Sequence, residues 1–364
     1  MAFSVVAASA GEPAGGGLWQ GHAYPAAAGT VAESAAVADR FLVLDTGGSG
    51  GGFGQGDVRS HLQDVVFWNQ QLGWSCGYGG VFKTVDGGLT WTRMKPRGGW
   101  YHIGMAGPDE VWLLEGQHPG GIGKVWLWKS TDGGTSWQEH LHGQLGGYAD
   151  MYVRGPYRWV LCGGFPSYRS DDGGRSWQTE RCGGLLHGKL KISIPADVVT
   201  PQGFAVYVLG DFKRQRRLVA SHDSGRTWSV VLLPDAAGLF RDRMCWATSR
   251  RGWLATSDGK MLVTADGGQT WQSRDLPTDQ IVNALWCDAA GRGFAAFQNA
   301  VLERFRYTLY ETRDDGHTWT ALLGGQKSVN AFFAFGPGQL WAVGNVPGYV
   351  PNDLVVILQQ PHGQ

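Results

Sequence analysis

One element decides what this chain can fold into. KTVDGGLTW at residues 83–91 returns as KSTDGGTSW from Lys129, RSDDGGRSW from Arg169, ASHDSGRTW from Ala220, VTADGGQTW from Val263 and ETRDDGHTW from Glu311. Aligned on Asp86, Asp132, Asp172, Asp223, Asp266 and Asp314, the copies recur about every 46 residues. Every copy has Ser or Thr two residues before the aspartate, Gly two after, Ser or Thr four after and Trp five after. Agreement at each position in all six copies makes this a repeat protein, which overrides the two-domain expectation that 364 residues would otherwise raise.

A second marker precedes the first. The aromatics Trp74, Trp112, Trp159, Phe204, Trp253, Phe294 and Trp341 fall 38 to 49 residues apart, seven of them against six acidic boxes. Around them lie runs such as DVVFW, EVWLL, AVYVLG and AFFAF, rich in β-branched and aromatic residues and bounded by Gly, Pro and Asn. No long segment has helical period, so the chain reads as all-β. Its 58 glycines and 18 tryptophans, with 43% apolar residues, fit short strands and tight turns around a large core rather than disorder.

About 45 residues carrying four short strands is the size of one β-propeller blade. Seven markers predict a seven-bladed β-propeller of four-stranded antiparallel blades, strands A to D, with the acidic box as the turn between C and D. The expected blades are 59–98, 99–143, 144–183, 184–235, 236–277, 278–325 and 326–360. The seventh has three strands and no box. The run DRFLVLDT at residues 39–46 is expected to supply its missing strand, so that residues 37–46 close a single ring over 37–360. Residues 1–36 read as a flexible Gly/Ala-rich leader.

The chemistry of the box is that of a turn. A Ser or Thr hydroxyl and an Asp carboxylate can bond the turn's own backbone, Gly supplies a positive φ, and Trp91, Trp137, Trp177, Trp228, Trp271 and Trp319 can wedge against neighbouring sheets. An enzyme needs one active site, not six around a ring. An ion-binding loop needs several carboxylates, and only the third and sixth boxes have two adjacent aspartates. The box therefore reads as structural.

The pattern S/T-x-D-x-G-x-S/T-W resembles the Asp-box (BNR) repeat of sialidases, sortilin-type receptors and related propellers. The fuller unit LQDVVFWNQQLGWSCGYGGVFKTVDGGLTWTRM resembles the repeat of photosystem II assembly-factor (stability-factor) propellers, over about residues 59–360. That resemblance implies a non-enzymatic assembly chaperone whose arginine-rich patch docks membrane-protein precursors, and an extracytoplasmic or surface-associated location.

Function on such a scaffold belongs to its loops. The run KRQRR places Lys213, Arg214, Arg216 and Arg217 between strands B and C of blade 4. Lys189 and Lys191 enter strand A of that blade, and Arg241 and Arg243 enter strand A of blade 5. All eight are expected on the face where the D–A and B–C loops open, as a basic sector for a protein partner or larger assembly. At the channel mouth the start of strand A is polar: Asp64, His102, Asp150, Asp242, Asn283 and Asn330, with Lys191. This ring is either a ligand site or a solvated entrance.

The competing reading is a carbohydrate-binding or sialidase-like glycoside hydrolase propeller. Sialidases need an arginine triad, yet only Arg40 and Arg59 stand ahead of the first box, neither in the F/Y-R-I/L-P context of that family. A glycosidase carboxylate pair could come only from Asp64, Asp150 and Asp242. Aromatics such as Trp100, Tyr148, Tyr168 and Tyr349 could stack on sugars, but their loops do not repeat as lectin sites do. Equal numbers of basic and acidic residues, 31 each, imply no nucleic-acid partner. No phosphate loop or metal-ligand spacing implies a cofactor or metal, and no catalytic residue is assigned. No apolar run reaches membrane-spanning length. The five cysteines contain no CxxC pair and read as buried thiols or as including one disulfide.

Overall fold

The strand B of the first repeat, Gly73–Gly77, is buried at every residue, whereas its strand D, Trp91–Lys95, is buried only at Trp91. This gradient is what a sheet standing on edge requires, with inner strands covered on both faces and the last strand at the rim. The computed structural model describes residues 18–19, 22–23, 41–47 and, with short interruptions, 62–359. Among these residues the strands form consecutive antiparallel sheets that repeat the A-B-C-D order, and the protein is an all-β propeller.

Sheet 1 runs Leu62–Phe67, Gly73–Gly77, Gly80–Thr84 and Trp91–Lys95. Sheets 2 to 6 occupy residues 100–146, 149–180, 187–231, 244–275 and 281–325. Sheet 7 joins Ser328–Gly336, Gln339–Asn345 and Asn352–Gln359 to Phe41–Gly47. Seven sheets of four strands are expected, but only five have four. Sheet 1 gains Leu18–Trp19 beside Trp91–Lys95, and sheet 7 gains His22–Ala23 beside Phe41–Gly47, both from the segment expected to be a leader. The outermost strand of a blade has an unpaired edge, and any extended segment can satisfy it. Phe41–Gly47 pairs with Asn352–Gln359 over seven residues, from Phe41↔Leu358 to Gly47↔Asn352.

The buried clusters lie between sheets, not within them. Trp74, Cys76 and Val81 of sheet 1 pack on Ile103, Val111 and Leu113 of sheet 2. Tyr207 and Leu218 of sheet 4 pack on Trp246 and Leu254 of sheet 5, and Trp253 and Met261 of sheet 5 on Ala295 and Phe297 of sheet 6. Trp341 and Val343 of sheet 7 pack on Leu62, Val65 and Phe67 of sheet 1, with Phe67 and Trp341 stacked at 4.0 Å.

The acidic box forms the C–D turn in sheets 1 to 6. In sheet 5 the Thr264 hydroxyl donates to Asp266 Oδ1 at 2.8 Å and accepts from Gly268 N at 2.9 Å. Asp266 in turn accepts from Thr270 N at 2.9 Å and from the Thr270 hydroxyl. Bonds to Thr270 and Thr264 hold Asp266 well below the usual carboxylate range, at about 2. Gly134, in the second box, has φ +93°, and a Cβ there would stand 2.3 Å from Trp74 Cη2 of sheet 1. Gly174 repeats this against Trp112 of sheet 2, also at 2.3 Å. In these two boxes the sequence markers meet: the B-strand aromatic of one sheet sits on the box glycine of the next.

Gly173 provides a control, since it has φ +77° but nothing within 4 Å of an added Cβ. Gly173→Ala should cost about 1 kcal/mol from backbone strain alone. Gly134→Ala should cost a further ~1–3 kcal/mol from overpacking against Trp74. Urea denaturation of both variants checks this, and equal costs would refute the wedge.

Candidate functional site

The start of strand A is where the sequence places its polar ring, and the structure brings most of that ring into contact. Local backbone geometry aims the side chains. The A–B ladder shifts register between Leu62 and Asp64, Trp100 and His102, His187 and Lys191, Val282 and Ala284, and Val329 and Ala331. A bulge bends a strand and turns its side chains off the regular alternation. At these points the polar group reaches across to a neighbouring sheet.

Asp64 of sheet 1 approaches His102 Nδ1 of sheet 2 at 3.2 Å through Oδ2, which also accepts from Ile103 N at 3.1 Å. His102 Nε2 lies 3.3 Å from Asp150 Oδ1 of sheet 3. Asp150 Oδ2 in turn takes Lys191 Nζ of sheet 4 at 3.0 Å and Ile192 N at 3.0 Å. Farther round, Arg243 Nη2 donates to Asn283 Oδ1 at 3.3 Å, and Asn283 Nδ2 donates to Val329 O at 2.6 Å and to Asn330 Oδ1 at 3.3 Å. Asn330 Nδ2 donates to Leu62 O of sheet 1 at 2.7 Å. At one position of the repeat, carboxylates accept the next strand's N–H while carboxamides donate to the next strand's C=O.

The electrostatics follow from this crowding. Burial pushes His102 down, but the carboxylates of Asp150 and Asp64 outweigh it and raise its pKa. Burial pushes Asp150 up, but Lys191, His102 and the Ile192 N–H outweigh it and lower its pKa. A general acid for glycoside cleavage needs a carboxyl whose pKa is raised. Asp150 is the reverse, and the imidazole of His102 fills the space between it and Asp64. No group of three or more His, Cys, Asp or Glu able to hold a metal ion occurs among the described residues.

The expected basic sector divides. Lys191 is ion-paired to Asp150, and Arg243 belongs to the ring through Asn283. Arg217 stands on Gln215–Ser221 opposite Gly210 and is half-buried. Lys189 and Arg216 lie in strands His187–Ser193 and Gln215–Ser221. Lys213, Arg214, Arg241 and Asp242 lie outside the described residues. Of the run KRQRR, expected between strands B and C, Gln215, Arg216 and Arg217 lie in strand, with the ladder running out to Phe212↔Gln215. Tyr168, a candidate sugar-stacking aromatic, packs into the core with Trp112 and Leu114. Spacing located the ring positions, but the links between them depend on bulges that no composition signal marks.

No family model matches the chain. It is 24% identical over 219 residues to the photosystem II assembly lipoprotein Ycf48 of Synechococcus sp. (strain CC9902), an alignment covering 58% of this chain and 62% of that relative. The solved structure titled YCF48 bound to D1 peptide superposes with TM-score 0.63 at 16% identity, covering 93% of this chain and 98% of the other. YCF48 from Cyanidioschyzon merolae gives 0.62 at 17%, covering 83% and 96%. The GH74 xyloglucanase from Xanthomonas campestris gives 0.60 at 16%, covering 81% of this chain and 54% of the enzyme. The chain resembles photosystem II assembly-factor propellers.

The raised pKa of His102 fixes the sign of a pH effect. Its contribution is complete below the unfolded imidazole pKa of about 6.5 and is lost as pH rises through the higher folded value. Wild type should lose more stability between pH 6 and pH 9 than His102→Gln, read from urea midpoints at about ten pH values. Asp150→Asn removes one partner of a buried pair and should cost ~3 kcal/mol at neutral pH.

Proposed function

We propose that this chain is a non-enzymatic, seven-bladed propeller of the assembly-factor type, with a ring closed by Phe41–Gly47, that docks a protein partner on its D–A and B–C loop face. The observation that carries this reading is the basic hairpin of sheet 4. Its ladder extends to Phe212↔Gln215 and carries Arg216 and Arg217 near the end of the sheets where Lys191 and Arg243 also sit. Basic groups at one end of a chain with no net charge favour an acidic partner surface and speed its encounter.

Two further facts support binding over catalysis. The acids of the ring and boxes are engaged by neighbouring hydroxyls, N–H groups and cations, as Asp150 and Asp266 illustrate. The likeness to Ycf48, one structure of which holds a D1 peptide, supports a polypeptide ligand. The hydrolase alternative has the xyloglucanase likeness behind it, which spans about half of that enzyme.

The test replaces Lys213, Arg214, Arg216 and Arg217 with Glu and compares capture from a native extract, followed by titration of the identified, purified partner. Wild type should bind with an affinity that falls with salt, and the variant should bind at least about tenfold more weakly, mainly through a slower on-rate. Equal affinity of the two proteins, at equal circular dichroism, would move the contact surface elsewhere. Release of reducing sugar from xyloglucan by the wild type would favour the hydrolase reading.

A further inference from the structure

Two of the cysteines face each other across the boundary between sheets 5 and 6. Cys245 lies in the first strand of sheet 5, Met244–Trp246, and Cys287 ends the first strand of sheet 6, Ile281–Cys287. Cys287 N donates to Cys245 Sγ at 3.0 Å, Cys287 Sγ donates to Cys245 O at 3.4 Å, and Cys245 Sγ donates to Cys287 O at 3.7 Å. Each thiol reaches the backbone of the other residue. The two strands pair with their own B strands, Cys245 opposite Trp253 and Cys287 opposite Gly293. The contact is therefore made by the thiols and not imposed by a shared ladder.

We propose that Cys245 and Cys287 form a redox site, a dithiol that low-molecular-weight disulfides such as oxidised glutathione convert to an inter-sheet disulfide. A disulfide needs Cα atoms roughly 4.4–6.8 Å apart with converging side chains, and here each thiol lies within hydrogen-bonding reach of the other residue's backbone. The two residues differ in access. Cys287 is 4% exposed and burial pushes its thiol up, whereas Cys245 is only half-buried. Cys245 is therefore the entry thiol. Its thiolate attacks one sulfur of oxidised glutathione, releasing one glutathione thiolate and leaving a mixed disulfide. The Cys287 thiolate then attacks Cys245 Sγ and expels the second glutathione. The protein loses two electrons and two protons, and one oxidised glutathione becomes two reduced molecules.

The bond would close a loop across 42 residues and staple sheet 5 to sheet 6. It would sit beside the Arg243–Asn283 contact, because Cys245 follows Arg243 by two residues and Cys287 follows Asn283 by four. Oxidation thus fixes one arc of the polar ring. This inference stands apart from the docking reading, since it concerns the scaffold and needs no partner.

Peptide mapping of the folded chain tests it. After incubation with oxidised glutathione, blocking of remaining thiols and trypsin digestion without reductant, the peptides 244–250 and 275–292 should appear linked, lighter by two hydrogens than their sum. Cys76, buried and free, should stay alkylatable. In Cys287→Ser the peptide 244–250 should carry glutathione. Recovery of the two wild-type peptides unlinked, whether as thiols or as glutathione adducts, would overturn the proposal. The oxidised chain should melt higher than the reduced one by roughly 3–6 °C, and a melting point no higher would overturn the stapling role.

Discussion

The structure depends on the seating of a B-strand aromatic against the box glycine of the following sheet. Gly134 against Trp74 and Gly174 against Trp112 are two instances. A variant appears where Trp253 Nε1 donates to Asp315 Oδ1 of the next box, and another where Trp341 Nε1 donates to Gly87 O of the first box, 254 residues away. A sheet of four short strands cannot cover either of its own faces. It acquires a core only by facing a neighbour, and the box is shaped to leave room for that neighbour's largest side chain. This explains why tryptophan and glycine are both so abundant here, since each is the other's requirement.

The box and the ring do related work at opposite ends of the sheets. In the box, a buried hydroxyl and an aspartate consume the polar groups of a tight turn, as Ser170 and Asp172 do for Gly174 and Ser176. At the ring, groups on successive A strands consume one another. Carboxylates that look exposed in a sequence are in both places already bound. Side chains that the repeat does not constrain are the ones left for recognition.

Much of this was legible before any coordinates. The box positions, the B-strand aromatics and the strand runs marked by alternating and β-branched residues all fall where spacing puts them, because turn chemistry and burial are local properties of the chain. The site was half legible. Asp64, His102, Asp150, Asn283 and Asn330 could be placed at equivalent positions by counting, but their pairing across sheets, beside register shifts at all but Asp150, could not. The contact of Cys245 with Cys287 was hidden for the same reason: 42 residues separate them, and only the stacking of consecutive sheets brings them together. Lys191, expected both in the basic sector and at the ring, is paired with Asp150, which belongs to another repeat. A repeat unit read singly shows what each sheet contains, not what its neighbour takes from it.

The seventh sheet unites both ends of the chain, with Phe41–Gly47 beside Asn352–Gln359. Most contacts in the molecule lie within a sheet or between consecutive sheets and can form as the chain emerges. This one cannot. Its ladder joins residues more than 300 positions apart, so one edge of Phe41–Gly47 must wait for Asn352–Gln359. The fold's slowest step is then its final one. Until that step, two apolar sheet faces and a strand edge stay open to other chains. Late pairing of this kind trades an exposed interval during biogenesis for a sheet 7 that packs on sheet 1 through Trp341 and Phe67.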